Sequence, residues 1–329
     1  MAEVVVITGA SAGVGRAVTR RFAEEGADIA LIARGRERLE AAAREVEEAG
    51  GRALVLPLDV ADADAVERAA AETEDTLGPI DIWVNNAMVT VYAPVSKLTP
   101  DEFRRATEVT YFGSVWGTMA ALRRMLPRDR GTIVQVGSAL AYRGIPLQSA
   151  YCGAKHALEG FLESLRPELM HEKRNVRLTV VQLPGLNTPQ FSWGRTKMPR
   201  EPQPVPPIFQ PEIAADAVVY AAHNPRRELY VAWPTVKVIV GNKVAPGLAD
   251  RYLAHTGYDS QQTEDPVAPD RPDNLFEPVP GDFAAHGRFD DEAKSRSLQL
   301  WASLNRRRIG VGAAGLAAAV VGLVRRNGS

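Results

Sequence analysis

Three side chains have the types and spacing to move a proton. Tyr151 and Lys155 stand four residues apart, so a helix would set them on one face, one turn from each other. Ser138 lies thirteen residues before Tyr151, just past the apolar run Thr132-Ile133-Val134-Gln135-Val136. That run reads as a buried strand, which puts Ser138 at a carboxyl end, the edge where open α/β sheets bind ligands. A free phenol titrates near ~10 and is a poor acid or base at neutral pH. An ammonium within ~4–6 Å favours the phenolate and lowers that value. Tyr151 could then exchange a proton with an alcohol or carbonyl oxygen. The Ser138 hydroxyl could hold the same oxygen and stabilise charge developing on it. The plainer alternative is a surface i,i+4 pair and a serine that ends a strand. Tyr-x-x-x-Lys is too short a pattern to decide between them alone.

Such a site needs a scaffold that brings a strand end, a loop and a helix together. Val4-Val5-Val6-Ile7 is a short, β-branched, continuously apolar run, the pattern of a strand buried on both faces. It leads into Thr8-Gly9-Ala10-Ser11-Ala12-Gly13-Val14-Gly15 and a helical stretch to about Glu25. Strand, glycine-rich turn and helix form the context for dinucleotide binding. The glycines let the backbone approach a pyrophosphate, and the helix N-terminus offers free N–H groups to it. The spacing is G-x-x-x-G-x-G, a variant of the commoner G-x-G-x-x-G. Asp28–Ala33 reads as the second strand, and Arg34 follows it. An NAD-specific site usually carries Asp or Glu there for the ribose 2′-hydroxyl; a guanidinium could instead bind a 2′-phosphate in a bidentate manner. Arg34 therefore points to NADP(H). With Arg36 and Arg38 nearby, a solvated charge at a helix start is the other reading.

Further along, strands and helices alternate. Helical stretches cover 35–49 and 62–76. Strands cover Ala53–Leu58, Ile80–Val84 and Val176–Val181, with Leu229–Val231 as the last. Thr99, Pro100 and Glu102 make a capping box for a helix predicted to run to about Met125. The Tyr151 helix carries an apolar stripe through Leu158, Leu162, Leu165 and Leu169, and Pro167 predicts a kink or an early end. Trp233–Leu253 reads as partly helical and placed to close the substrate side. The alternation predicts an α/β, doubly wound parallel sheet, a three-layer α/β/α Rossmann fold with strand ends on one edge.

Taken together, the motifs resemble the short-chain dehydrogenase/reductase superfamily. They are T-G-A-S-A-G-V-G at Thr8–Gly15, Asp59-Val60, Asn85-Asn86-Ala87, Ser138, Tyr151-x-x-x-Lys155, and P-G-x-x-T at Pro184–Thr188. Their order and spacing agree over roughly residues 3–232. The resemblance implies hydride transfer between a nicotinamide and a carbonyl or alcohol, with Tyr151 as acid/base. Lys155 would lower its pKa and bind the nicotinamide ribose, and Ser138 would orient the substrate. It also implies a cofactor site from Thr8, Gly9, Ser11, Gly13, Val14 and Gly15. Asp59 and Val60 would lie at the adenine, Asn86 and Ala87 beside the cofactor, and Pro184, Gly185 and Thr188 on the carboxamide side. Family members often associate through two long helices, here about 100–125 and 151–170, so a homo-oligomer is expected. Two positions depart from the pattern. The family usually carries an Asn in the helix before strand five, and Thr110 stands in that place. A threonine could still hold a water, with fewer hydrogen-bonding groups than an amide, which touches the usual proton relay to Lys155. Asn-Asn-Ala is followed by Met88 where a glycine is usual, and Met88 either narrows the site or fills a packing gap.

Residues 184–211 hold eight prolines, in the segment that the resemblance assigns to covering the substrate. Phe191, Trp193 and Phe209 could form an apolar lid there and favour a bulky apolar substrate. A fixed irregular loop is the alternative. The chain is thus expected to form a Rossmann domain over 1–255, followed by an acidic, Pro-rich extension over 256–305 that turns basic. Residues 256–292 hold ten acidic and two basic residues, which reads as a linker or extended wrap. Residues 306–329 enclose an apolar run, Ile309–Val324, between arginines. A helix of that length is short of a ~30 Å hydrocarbon core. It reads as a membrane anchor helped by snorkelling arginines, with contact through 306–326, or as an interfacial or oligomer-packing helix.

A net charge of −1 gives no reason to expect nucleic acid as a partner. The single cysteine, Cys152, suits a reducing compartment, and the N-terminus lacks the basic region of a signal peptide. A cytoplasmic protein is expected, membrane-associated if the C-terminal run is an anchor. The five histidines lack metal-ligand spacing, so no metal is expected. The expected activity is an NADP(H)-dependent oxidoreductase acting on a small-molecule carbonyl or alcohol. The alternative is a catalytically weak dinucleotide-binding protein whose C-terminal extension recruits a partner or a membrane.

Overall fold

The computed structural model describes residues 2–306, 308 and 309. Seven parallel strands form the central sheet: β1 (Val4–Thr8), β2 (Asp28–Ala33), β3 (Ala53–Pro57), β4 (Ile82–Asn85), β5 (Gly131–Val136), β6 (Val176–Gln182) and β7 (Glu228–Tyr230). Their order is β7-β6-β5-β4-β1-β2-β3. β1 pairs with β2 on one side and β4 on the other, so the strand order reverses there and a crevice opens outside their carboxyl ends.

Period-two alternation sorts the strand residues between two apolar cores. Val5, Ile7, Ile29, Leu31 and Val84 face one side. They pack there with α1 (Gly13–Ala23), α2 (Arg36–Glu48) and α7 (Pro211–His223). Val4, Val6, Ala30, Ile32 and Trp83 face the other. Their partners are α3 (Ala63–Thr76), α5 (Gly113–Arg128) and α6 (Ser149–His171). Strands buried on both faces are why β1 and β2 read as unbroken apolar runs.

The helix predicted over 100–125 is interrupted. The capping box forms at Thr99 and Glu102 and starts α4 (Pro100–Thr107). One π-helical turn, Glu108–Phe112, then precedes α5. Thr110 lies in that turn and is fully buried. Its hydroxyl donates to Val89 O (3.0 Å) and accepts from Val89 N–H (3.2 Å), tying the wide turn to the loop after β4. Pro167 does not end α6 early: the helix continues one turn to His171, with Leu165 and Leu169 buried on either side of it.

After β7 come α8 (Ala232–Val244) and α9 (Pro246–Thr256), two helices where a partly helical stretch was expected. Residues Gln262–Pro266 pair antiparallel with Arg200–Pro202. The chain then runs back across the sheet edge, burying Leu275, Val279, Ala285 and Phe289, to α10 (Leu298–Leu304). Most of the apolar run at 309–324 lies outside the described residues. Among the described residues no helix is long and apolar enough to cross a membrane.

Candidate active site

Ser138 follows β5, Tyr151 sits in the first turn of α6, and Lys155 one turn on. All three line one cavity of about 760 Å³. Lys155 is buried, its Nζ donating to Val136 O at 2.6 Å and lying 5.7 Å from the Tyr151 ring centroid. Burial pushes the Tyr151 phenol up to about 12, with a Ser138 hydrogen bond pulling it back. The expected lowering of this phenol by Lys155 is not found in the protein on its own: desolvation dominates, and the group that opposes it is Ser138. Burial also pushes Lys155 down to about 8, against the pull of Glu159.

That depression of Lys155 has a testable sign. Between about pH 8 and the ordinary lysine value near 10.4, the unfolded chain holds a proton that the folded one has lost, so stability rises with pH across this window. Measured by denaturant unfolding, wild type should gain on the order of 1–3 kcal/mol relative to Lys155→Met between about pH 8 and 10.4. A difference that stays flat with pH would show that the ammonium is not desolvated.

The cofactor residues predicted from sequence gather at the β1–β4 crevice. Thr8 Oγ1 accepts from the N–H groups of Asn86 (2.9 Å) and Ala87 (3.1 Å). The Asn86 amide returns a bond to Thr8 O (2.9 Å), locking the two strand ends together. Gly9 turns with φ +68°, a conformation that favours glycine. A smaller cavity of about 180 Å³ follows this edge past Gly9, Ser11, Gly13 and Val14. Arg34, Asp59, Val60 and Ala87 line its other wall. The two cavities meet at Val14, Asn86, Met88, Thr188 and Gln190. Met88 thus stands at their junction. Pro184 and Gly185 line only the larger cavity, and Thr110 lines neither.

These residues fit a dinucleotide. A Cβ at Gly15 would lie 2.0 Å from Gly9 O, so helix and turn touch as closely as backbone allows. Ala12, at the N-cap of α1, brings no side-chain acceptor to compete for the helix N-terminus. Arg34 stands at the end of β2, but its guanidinium already donates to backbone carbonyls of Asn274, Leu275 (3.4 Å) and Phe276 (2.6 Å). Asp59 is paired with Arg105. Asn274 and Pro278 themselves line the smaller cavity.

The large cavity is mostly apolar, walled by Leu140, Ile145, Phe191, Val205, Val238 and Leu253. Of the three aromatics expected as a lid, Phe191 faces this cavity and Trp193 the smaller one. Phe209 lies in the core, bridged by its backbone to Leu186 and Lys294. The contributions of α8, α9 and the segment 274–278 have no local motif in the sequence. For α8 and α9 the signal is the partly helical stretch Trp233–Leu253, expected to close the substrate side, and its residues do line the large cavity. For 274–278 it is composition alone, an acidic, Pro-rich stretch suited to an extended wrap.

Known proteins share this fold and are similar in sequence. The family model described as short chain dehydrogenase matches residues 3–197, and the chain belongs to that family of oxidoreductases. It is 32% identical over 309 residues to the uncharacterized oxidoreductase YxnA of Bacillus subtilis (strain 168), covering 93% of this chain and 86% of the relative. Among solved structures, an alcohol dehydrogenase from the archaeon Thermococcus sibiricus complexed with 5-hydroxy-NADP superposes with a TM-score of 0.62. It is 28% identical, over 70% of this chain and 96% of that one. A short chain dehydrogenase from Mycobacterium paratuberculosis bound to NAD superposes equally well, at 0.62 and 27% identity over 70% and 96%.

Proposed function

We propose that the protein is an NADP(H)-dependent oxidoreductase that interconverts a carbonyl and an alcohol on an apolar substrate, with Tyr151 as the acid/base. The observation that carries this is the meeting of the two cavities. Ser138, Tyr151 and Lys155 line the large apolar one, and the glycine turn lines the other. A bound nicotinamide would supply or accept the hydride there. The chain's own residues handle the oxygen and its proton. Ser138 holds the reacting oxygen and Tyr151 faces it. A phenol pushed up to about 12 is protonated at rest, so it has a proton to give, but it is a weak acid at neutral pH unless the phenolate is stabilised. Lys155, one turn away, is placed to stabilise the phenolate left behind. The apolar walls favour a bulky hydrocarbon-bearing carbonyl over a small polar one.

The cofactor preference rests on Arg34, with Arg38 beside it and no carboxylate at the end of β2. In a titration followed by nicotinamide fluorescence, NADPH should bind at least about tenfold tighter than NADH. Arg34→Asp should erase that difference. Equal binding of both cofactors to the unmodified protein would refute the assignment of Arg34. Binding of neither, by the unmodified protein or by any variant that frees Arg34 from its backbone partners, would sink the oxidoreductase reading as a whole.

A further inference from the structure

The segment 273–285 touches each part of the edge that the adenosine half of a dinucleotide would use. Its carbonyls at 274, 275 and 276 occupy both terminal nitrogens of Arg34. A 2′-phosphate held in bidentate fashion needs those same donors. Arg105, which pairs with Asp59, also donates to Leu275 O at 3.1 Å. The Gly13 N–H, at the start of α1, donates to Ala284 O at 3.0 Å. Arg38 donates to Val279 O and lies over the rings of Trp193 and Phe283. Asp282 stands 3.4 Å from the buried Arg16. One acidic side chain, Asp282, and a series of carbonyl oxygens are thus laid over a bed of arginines, the chemistry that a phosphorylated ligand would bring. Leu275 is fully buried, in the same apolar cluster as Val60 and Val109 of the cofactor cavity.

We propose that residues 273–285 form a strap that competes with the 2′-phosphate of the cofactor for Arg34. NADP(H) then binds by releasing the strap from Arg34, whereas a dinucleotide without that phosphate leaves the Arg34 contacts in place and displaces only the Ala284 contact at the Gly13 N–H. This rests on the dinucleotide reading of the site. The strap thereby lowers the apparent affinity for NADP(H) by the fraction of molecules in which it is docked. Cofactor choice is set by residues far along the chain from the glycine turn as well as by Arg34.

Hydrogen exchange of the full chain, read by mass spectrometry on peptides spanning 268–288, tests it. Saturating NADPH should raise exchange across residues 273–279, and saturating NADH should leave those residues unchanged and raise exchange only near Ala284. Leu275→Ala, which loosens the strap, should tighten NADPH binding by at least about tenfold and alter NADH binding by less than about threefold. Phe283→Ala removes a partly exposed anchor that cannot threaten the core, and should shift NADPH binding in the same direction by a smaller factor. If NADPH leaves strap exchange unchanged or lowers it, the strap is a fixed wall and the proposal fails while the cofactor reading stands. Equal changes in NADPH and NADH affinity in Leu275→Ala would also overturn it. If neither cofactor binds the unmodified protein or either variant, the cofactor reading and the strap fall together. NADPH binding confined to the strap variants would support both.

Discussion

Replacing Tyr151 with Phe is expected to lower turnover of a carbonyl substrate by roughly 10²–10⁴-fold while leaving cofactor affinity within about threefold. The substitution removes one oxygen from a side chain whose ring packs beside Lys155, and Lys155 keeps its bond to Val136 O. Ser138 keeps its own bond from the Leu140 N–H (3.1 Å), so the loop after β5 has no reason to move. What disappears is the proton donor. A variant that binds NADPH normally and turns over at the wild-type rate would remove Tyr151 from the chemistry. A variant that loses cofactor binding would show that the phenol holds the site together and does not act as its acid.

Gly15→Ala should have a comparably large effect by a different route. The added methyl would lie 2.0 Å from Gly9 O and 2.6 Å from Asn86 Nδ2, contacts that real Cβ atoms do not make. Neither neighbour can yield, because Gly9 is in the turn and Asn86 is bonded to Thr8 O. The helix must therefore shift off the turn, at a cost of about 1–3 kcal/mol in overpacking. The expected result is at least a hundredfold loss of NADPH affinity, together with a lowered melting temperature. Gly160→Ala provides the control. That glycine is exposed in α6 with nothing within 4 Å of an added Cβ. It should bind cofactor normally and gain about 0.5–1 kcal/mol in stability from better helix propensity. If Gly15→Ala binds NADPH as well as this control does, the close contact of turn and helix is not what shapes the site.

Much of this could be read from residue types because those types carry the physics. Val4–Ile7 and Asp28–Ala33 have side chains suited to burial on both faces, and both became strands that feed both cores. Ser138, Tyr151 and Lys155 had to converge once their strand and helix were adjacent, and one cavity holds all three. The interrupted helix was not legible, since a π turn has no propensity signature; it is held by Thr110 reaching Val89, which is remote in sequence. Pro167 was read by a local rule, and burial of the stripe around it prevailed. Phe209 looked like a lid because aromatic content cannot say which side of a loop faces inward. The bonds that hold Arg34 were the hardest to foresee. Its partners are backbone oxygens at 274–276, and every residue in a chain has one.

The position of the segment 273–285 late in the chain also has a consequence for biosynthesis. β1, β2 and β4, whose ends make the crevice where the strand order reverses, are complete within the first 85 residues, and the last strand of the sheet ends at Tyr230. Chains emerge from the ribosome N-terminus first and fold largely in that order. The nascent protein therefore passes through a stage in which the glycine turn, Arg34 and Asp59 are assembled and uncovered, before the residues that will lie over them have been translated. If the segment competes with cofactor as proposed, cellular dinucleotide would meet an open edge at that stage and a covered one afterwards, and a molecule captured during synthesis would not have to compete with the segment at all.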